Sequence, residues 1–296
     1  MLEDSTDGLH HLIEQELNSD DKILKPDFSQ KTGRELLTFY LQSKFKQLVN
    51  FDSKSNNPIF SYVKPEFTQN FSKRLISSPE KRIMIGITGE SASGKSTMCK
   101  AMSNVIKSFK MPVSILATDN YFNDISELIK KYETFDNLRD NGYDVDSPES
   151  FQLNVLYDDL KMLAMGKDIY APEYLPNGTG VSVPKSKFIP SNKIIIVEGM
   201  ATMYGEIKDI FDIKIYVETD IDVRKERFLH RAFTERNQDF NNAKKHWEYI
   251  LVAGDKYVKP SRAYADLILN GNTNMEYFCQ LLEYLHTITN NFGDKK

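Results

Sequence analysis

Two kinds of apolar pattern run along this chain. From residue 83 onward short apolar runs stand out, interrupted only by Ser114 and Lys214, at Ile83–Ile87, Val113–Ala117, Ile194–Val197, Ile213–Val217 and Leu267–Leu269. Continuous runs, unlike alternating ones, are what strands buried on both faces of a parallel sheet require. Between them the stretches Ser96–Phe109, Phe151–Met165 and Val223–Thr234 read as helices, and Met275–Ile288 reads as a closing helix. Strands alternating with helices predict an α/β fold with a doubly wound, mostly parallel sheet.

Residues 1–80 follow a different pattern and are expected to form a helical N-terminal extension, with residues 81–296 as the α/β domain. Thr32 and Glu35 have capping-box spacing, and Leu37, Tyr40, Leu41, Phe45, Leu48 and Val49 recur at helical intervals after them. Asp52–Pro58 reads as a loop. A second short helix is expected from Pro65, carrying Phe67, Phe71 and Leu75, and Ser77-Ser78-Pro79 ends it. Two further stretches, Thr118–Pro148 and Ala171–Pro190, read as long and irregular. Long loops in a compact domain usually carry function.

Composition narrows the classes. With 40% hydrophobic and 27% charged residues in 296, the chain is ordinary for a soluble globular protein. Lys plus Arg number 38 against 42 Asp plus Glu, a net charge of −4, which argues against a nucleic-acid-coating role. Cys99 and Cys279 form neither a metal-ligand spacing nor a disulfide framework, which fits a reducing compartment. The acidic start lacks a signal pattern, and the aliphatic run Ile194–Val197 falls far short of the ~20 residues of a membrane span. The expectation is a cytoplasmic protein with no nucleic-acid or membrane partner.

The chemistry lies in Gly89-Glu90-Ser91-Ala92-Ser93-Gly94-Lys95-Ser96, which fits G-x-x-x-x-G-K-[ST]. The motif follows an apolar strand and precedes a helix, the context of a P-loop NTPase. Such a loop wraps an anion with successive backbone N–H groups, and the next helix presents its positive end. Lys95 is expected to reach the β- and γ-phosphates and the Ser96 hydroxyl to ligate Mg²⁺. The run Ile194–Val197 ends in Glu198, a carboxylate placed to hold Mg²⁺ or its water. Asp119 directly follows the run Val113–Ala117 and suits a group that accepts a proton from an attacking hydroxyl.

With these residues in place, the chain resembles the uridine kinase and phosphoribulokinase family over roughly residues 81–271. The matching pieces are the phosphate loop at 89–97, Asp119–Phe122, Val145-Asp146-Ser147-Pro148 to Phe151, and Gly166 to Tyr174 followed by Glu198-Gly199. Glu218–Arg224 then runs into Arg231 and Thr234-Glu235-Arg236, and Tyr264–Ile268 resembles the family's end. The resemblance implies an ATP- and Mg²⁺-dependent kinase of a small hydroxyl compound. It implies that Asp119, Lys95 and Arg231 are catalytic. Gly89, Glu90, Ser91, Ala92, Ser93, Gly94, Lys95, Ser96, Thr97, Arg227 and Arg236 would bind nucleotide. Asp119, Tyr121, Asp146, Tyr174 and Arg231 would hold the acceptor, Asp146 through sugar hydroxyls, and Ser96 and Glu198 the metal. Arg224, Arg227 and Arg231 fall at i, i+3 and i+7 and so share one helix face, which in the family is a lid over the phosphates.

The departures concern the acceptor. Leu175–Val181 carries neither the His nor the Arg that help uridine kinases hold the pyrimidine. Phe122 stands where the family has a tyrosine, and Asn237-Gln238 replaces Gly-Arg. The expected acceptor is a nucleoside, uridine or cytidine first. The alternatives are a non-nucleoside hydroxyl compound (a sugar phosphate or glycerate) and a non-catalytic nucleotide-binding regulator. The Phe and Tyr residues of 28–71 suit either packing on the α/β domain or a homo-oligomer face, and the amphipathic pattern favours packing. Trp247 with Ile250 reads as core, Cys99 as a buried small residue, and the isolated His230, His246 and His286 form no metal set.

Overall fold

The computed structural model describes residues 58–78, 81–108, 112–175, 178–235 and 238–272, with Lys46, Val49, Ser53 and Lys54. Of the helix expected through Leu37–Val49, only Lys46 and Val49 are described, and both are helical. The closing helix expected at Met275–Ile288 lies outside the described residues.

The chain divides into two compact units, one of residues 57–64 and 81–276, the other of residues 1–56, 65–80 and 277–296. The larger unit is built on a six-stranded sheet of order β1-β8-β7-β2-β6-β3. Its strands are β1 (Phe60–Val63), β2 (Ile83–Thr88), β3 (Val113–Ala117), β6 (Ile194–Glu198), β7 (Ile213–Glu218) and β8 (Leu267–Asn270). All pairs are parallel except β1 with β8. In the register, Ile85 stands between Ile196 of β6 and Ile213 of β7. All six residues of β2 are buried, as the continuous apolar run requires. The runs read from the sequence are thus the parallel strands, and the fold is the doubly wound α/β arrangement.

Helices α2 (Lys95–Ser108), α5 (Leu153–Ala164), α6 (Ile221–Thr234) and α7 (Phe240–Ala253) accompany this sheet, and α1 (Phe67–Ser77) belongs to the smaller unit. In α5, Leu156, Leu160 and Leu163 recur at helical spacing and are fully buried. Their cluster includes Met84, Leu116, Ile195 and Phe211, so α5 belongs to the core of the sheet. Trp247 is buried against Phe228 and Ile250, and Cys99 is buried, both as expected.

Three stretches depart from expectation. Within the stretch expected to be helical, Phe60–Val63 is an edge strand on β8. The stretch 118–148 is not irregular: it holds a 3-10 turn at Thr118–Tyr121 and helices α3 (Ser126–Tyr132) and α4 (Phe135–Asp140). The stretch 171–190 falls in an antiparallel hairpin, β4 (Ile169–Tyr174) with β5 (Ser182–Ile189). Six of the eight β5 residues are exposed, so no buried face imposes an alternating pattern on the sequence.

Candidate active site

The site is built at the carboxyl ends of β2, β3 and β6, where open α/β sheets bind ligands. β2 ends at Thr88, and residues 89–94 turn into α2, whose first residue is Lys95. Gly89 takes φ +149, and a Cβ there would collide with the Val217 carbonyl, so only glycine lets the loop leave the strand this way. Ala92 holds a left-handed φ of +62, a strained value for a residue with a Cβ, and packs on Phe228, Trp247 and Ile250. The strong curvature and the start of α2 make the loop an anion cradle. Lys95 Nζ donates to the carbonyls of Gly89 (2.8 Å) and Glu90 (3.1 Å), lying back along the loop it serves.

A second glycine brings the acidic groups to the cradle. Gly199 takes φ +133, and a Cβ on it would run into Thr118 Oγ1. The turn after β6 therefore lies against the turn after β3, so Glu198 and Asp119 share a neighbourhood. Ser96 Oγ donates to Glu198 Oε1 at 3.1 Å. Burial lowers the Lys95 ammonium below its usual range, while Glu198 and Asp119 oppose that shift and Arg231 and Arg224 add to it. The Glu198 carboxyl is raised, first by burial and then by Asp119, with Lys95 and Ser96 opposing. Asp146 joins the same field: burial, Asp144 and Asp119 raise its carboxyl to about 6, against Arg139 and Lys95. The structure thus gathers Lys95, Ser96, Asp119, Asp146, Glu198 and Arg231, residues from five separate parts of the chain.

Ser96 and Glu198 fit Mg²⁺. Both present hard oxygen donors at the end of the cradle, and Mg²⁺ is usually held by one or two carboxylates completed by phosphate and water. Among the described residues no group of three or more His, Cys, Asp or Glu forms a self-contained metal cage.

Other expected site residues are placed differently. Tyr121 is fully buried, and its hydroxyl donates to Asp159 Oδ2 at 2.8 Å. It is a support beneath the Asp119 turn and not an acceptor contact. Tyr121→Phe should therefore lower stability by about 1 kcal/mol, read from chemical denaturation, and leave the acceptor KM unchanged. Arg224, expected on the lid face with Arg227 and Arg231, is instead buried, with Nε donating to Ser91 O at 3.0 Å and Nη1 meeting Glu90 Oε1 at 2.8 Å. Arg227 lies beside Gly94 and donates to Gly271 O and Asn272 Oδ1. Thr97 is exposed on the first turn of α2, and Arg236 lies outside the described residues.

Beside the acids stands an aromatic wall. Phe122 stacks on Phe151 at 4.2 Å and meets Tyr174 at 5.3 Å, and Phe151 meets Tyr204 edge-on at 6.0 Å. Phe122 and Tyr174 are half-buried. Two tyrosines that the sequence reading missed brace the acidic loop: Tyr204 donates to Asp146 O at 3.2 Å and Tyr257 to Asp144 Oδ2 at 2.9 Å. Contacts 58 and 113 residues apart in sequence leave no local signal by which they could be found.

A strand-bound phosphate cradle, with one acid at the end of the adjacent strand β6 and another just past the end of β3, the next strand out, defines a nucleotide-binding α/β protein equipped for phosphoryl transfer. Residues 84–275 match the Phosphoribulokinase / Uridine kinase family, and the chain belongs to that family. It is 32% identical over 194 residues to uridine kinase from Staphylococcus aureus (strain JH9), covering 64% of this chain and 89% of that one. Among solved structures, phosphoribulokinase from Rhodobacter spheroides aligns at 15% identity with a TM-score of 0.47, over 64% of this chain and 70% of that one. D-glycerate 3-kinase from Cryptococcus neoformans var. grubii aligns at 10% identity with a TM-score of 0.45, over 76% and 89%. Among the described residues no helix is long and apolar enough to cross a membrane.

Proposed function

We propose that the protein is an ATP- and Mg²⁺-dependent kinase that transfers the γ-phosphate to a hydroxyl of a nucleoside, of the uridine or cytidine type. The observation that carries this is the convergence of Asp119 and Asp146, from separate loops, on the field of Lys95 beside the phosphate cradle. Asp119 accepts the proton of the acceptor hydroxyl as its oxygen bonds to the γ-phosphorus and the bond to ADP breaks. Lys95 and Arg231 supply positive charge for the transferring group. Ser96 and Glu198 would hold Mg²⁺, which when bound would neutralise phosphate charge. Asp146 holds sugar hydroxyls, and the half-buried faces of Phe122 and Tyr174 offer a surface on which a base stacks. The 32% identity to a uridine kinase supports the acceptor class.

The chemistry belongs to the domain from residue 81 onward, completed by β1, with the preceding residues as an accessory extension. The protein acts in the cytoplasm on a small molecule, with no nucleic-acid or membrane partner. One observation favours a second acceptor, a sugar phosphate or hydroxy acid: the sequence Leu175–Val181 contains neither His nor Arg to offer a base.

Asp146→Asn tests the acceptor assignment. The acceptor KM should rise roughly 30-fold while the ATP KM holds, because hydroxyl contacts to a charged acceptor are lost. In the wild type the acceptor KM should climb as pH falls below about 6, where Asp146 takes up its proton; in the variant that slope should vanish. Stability moves the other way. The folded carboxyl sits at about 6 against 3.8 in the unfolded chain, so folding loses stability as pH rises through that window. The variant should thus be more stable than wild type by about 3 kcal/mol at pH 7.5 and no more stable at pH 3. An acceptor KM unchanged in the variant would remove Asp146 from the acceptor site.

A further inference from the structure

We infer that Arg224 is a built-in counterion that keeps the phosphate cradle receptive to nucleotide by cancelling the charge of Glu90, an inference that rests on the nucleotide-binding role proposed above. The second residue of the cradle is a glutamate, a negative charge in a loop whose work is to hold polyphosphate. Left alone, its carboxylate would repel that ligand at short range through a partly dehydrated medium. The structure shows how the charge is met. Arg224, 3% exposed, closes on Glu90 Oε1 at 2.8 Å and ties its Nε to the Ser91 carbonyl at 3.0 Å. Its guanidinium lies 5.6 Å from the centre of the Trp247 ring on α7. Tyr216 Oη reaches the other Glu90 oxygen at 3.5 Å, and Gly254, after α7, leaves room for the carboxylate. The cradle is thereby fixed to α6, the helix that also carries Arg227 and Arg231.

Stability alone does not account for this pair. Buried ion pairs are poor stabilisers compared with apolar residues of similar size, and Arg224 Nη2 has no hydrogen-bond partner among the described residues. Burying an arginine with an unused donor is costly, and the cost is understandable where a charge must be neutralised beside an anion site. Arg224 is therefore a positioning residue that acts on nucleotide through Glu90 and the loop, and it makes no contact with the reacting atoms.

The test is a charge series read by nucleotide affinity, independent of any acceptor. Kd for MgATP would be measured by titration calorimetry on the full chain for wild type, R224M, R224K, E90Q and E90Q/R224M, with thermal melts alongside. R224M should weaken binding roughly 30-fold, because it exposes the cradle to an uncompensated carboxylate. R224K, which keeps the charge but not the fork, should stay within ~5-fold of wild type, and E90Q, which removes the repelling charge but keeps the loop's backbone N–H groups, should weaken binding far less than R224M. The double variant E90Q/R224M should recover most of the loss, in affinity and in melting temperature. Loss in R224K equal to that in R224M, with no rescue by E90Q, would overturn the inference and leave Arg224 as packing. An R224M protein that binds MgATP as wild type would overturn it as well. A wild type that binds no nucleotide would overturn the proposed function itself, and this inference with it.

Discussion

Lys95→Ala is expected to lower kcat/KM for phosphoryl transfer by at least ~10³-fold, the scale of a charge placed where a transferring phosphoryl develops its own. The side chain of Lys95 is held by backbone carbonyls. Its ammonium donates to two carbonyls of the loop it follows, at 2.8 and 3.1 Å, so its place is set by the strand–loop–helix turn and not by a mobile partner. Three carboxylates, of Asp119, Glu198 and Asp146, have it in their field. Removing it leaves those acids repelling one another and the incoming phosphates. The fold should survive, since the freed loop carbonyls can turn to water at this half-buried position. A melting curve within a few degrees of wild type, combined with lost ADP production, is the expected pair of readings. Turnover retained in the variant would mean that the cradle is not the catalytic nucleotide site.

Asp119→Asn should have the second largest effect, a fall in kcat of ~10²–10⁴-fold with little change in MgATP affinity. Asp119 is exposed at the end of β3, opposite Glu198 across the contact of Gly199 with Thr118. Asn keeps the size and the turn-forming tendency but cannot accept the proton of an attacking hydroxyl. Glu198→Gln offers the contrast. It should shift the Mg²⁺ dependence of the rate, because Glu198 is the carboxylate bonded to Ser96, whereas Asp119→Asn should leave that dependence in place. Pre-steady-state phosphoryl transfer at several Mg²⁺ concentrations separates the two. Equal Mg²⁺ shifts in both variants would reassign Asp119 from proton acceptor to metal support.

What the sequence made legible follows from how each feature is encoded. Parallel strands of such a sheet must be mainly apolar, so β2, β3, β6, β7 and β8 announce themselves even with Ser114 in β3 and Lys214 in β7. The cradle is legible because its glycines are demanded by backbone geometry, as Gly89 against the Val217 carbonyl shows. Elements at the edge of the core are encoded weakly. β5 is nearly all exposed, β1 is four residues long, and both escape a reading based on apolar periodicity. Helix α7 was missed for another reason: its start is set by Asp239, whose carboxylate accepts from the N–H groups of Asn241 and Asn242, and its first turn carries few apolar residues.

Side-chain roles were the least legible. Arg224, Arg227 and Arg231 have the spacing of one helix face, yet Arg224 is drawn into the interior by Glu90 and Trp247 while Arg231 stays in the field of Lys95. Spacing defines a face but not how deeply each residue on it is buried. Tyr121 illustrates the same limit: its neighbour Asp119 is exposed and chemically available, but the 3-10 turn sends Tyr121 into the core toward Asp159. A partner 38 residues away in sequence leaves no local signature.

The measurement that tests the central claim most directly is ADP release from MgATP with a panel of acceptors: uridine, cytidine, adenosine, ribulose 5-phosphate, glycerate and pantothenate. Lys95→Ala and acceptor-free reactions serve as controls, and the product is identified by mass. The account predicts acceptor-dependent turnover on a pyrimidine nucleoside, with a nucleoside monophosphate formed in step with ADP and both lost in the lysine variant. Turnover on a sugar phosphate or hydroxy acid would keep the kinase and replace the nucleoside. ATP hydrolysis that no acceptor accelerates, or no turnover at all with MgATP bound, would contradict the claim that this site phosphorylates a small hydroxyl compound.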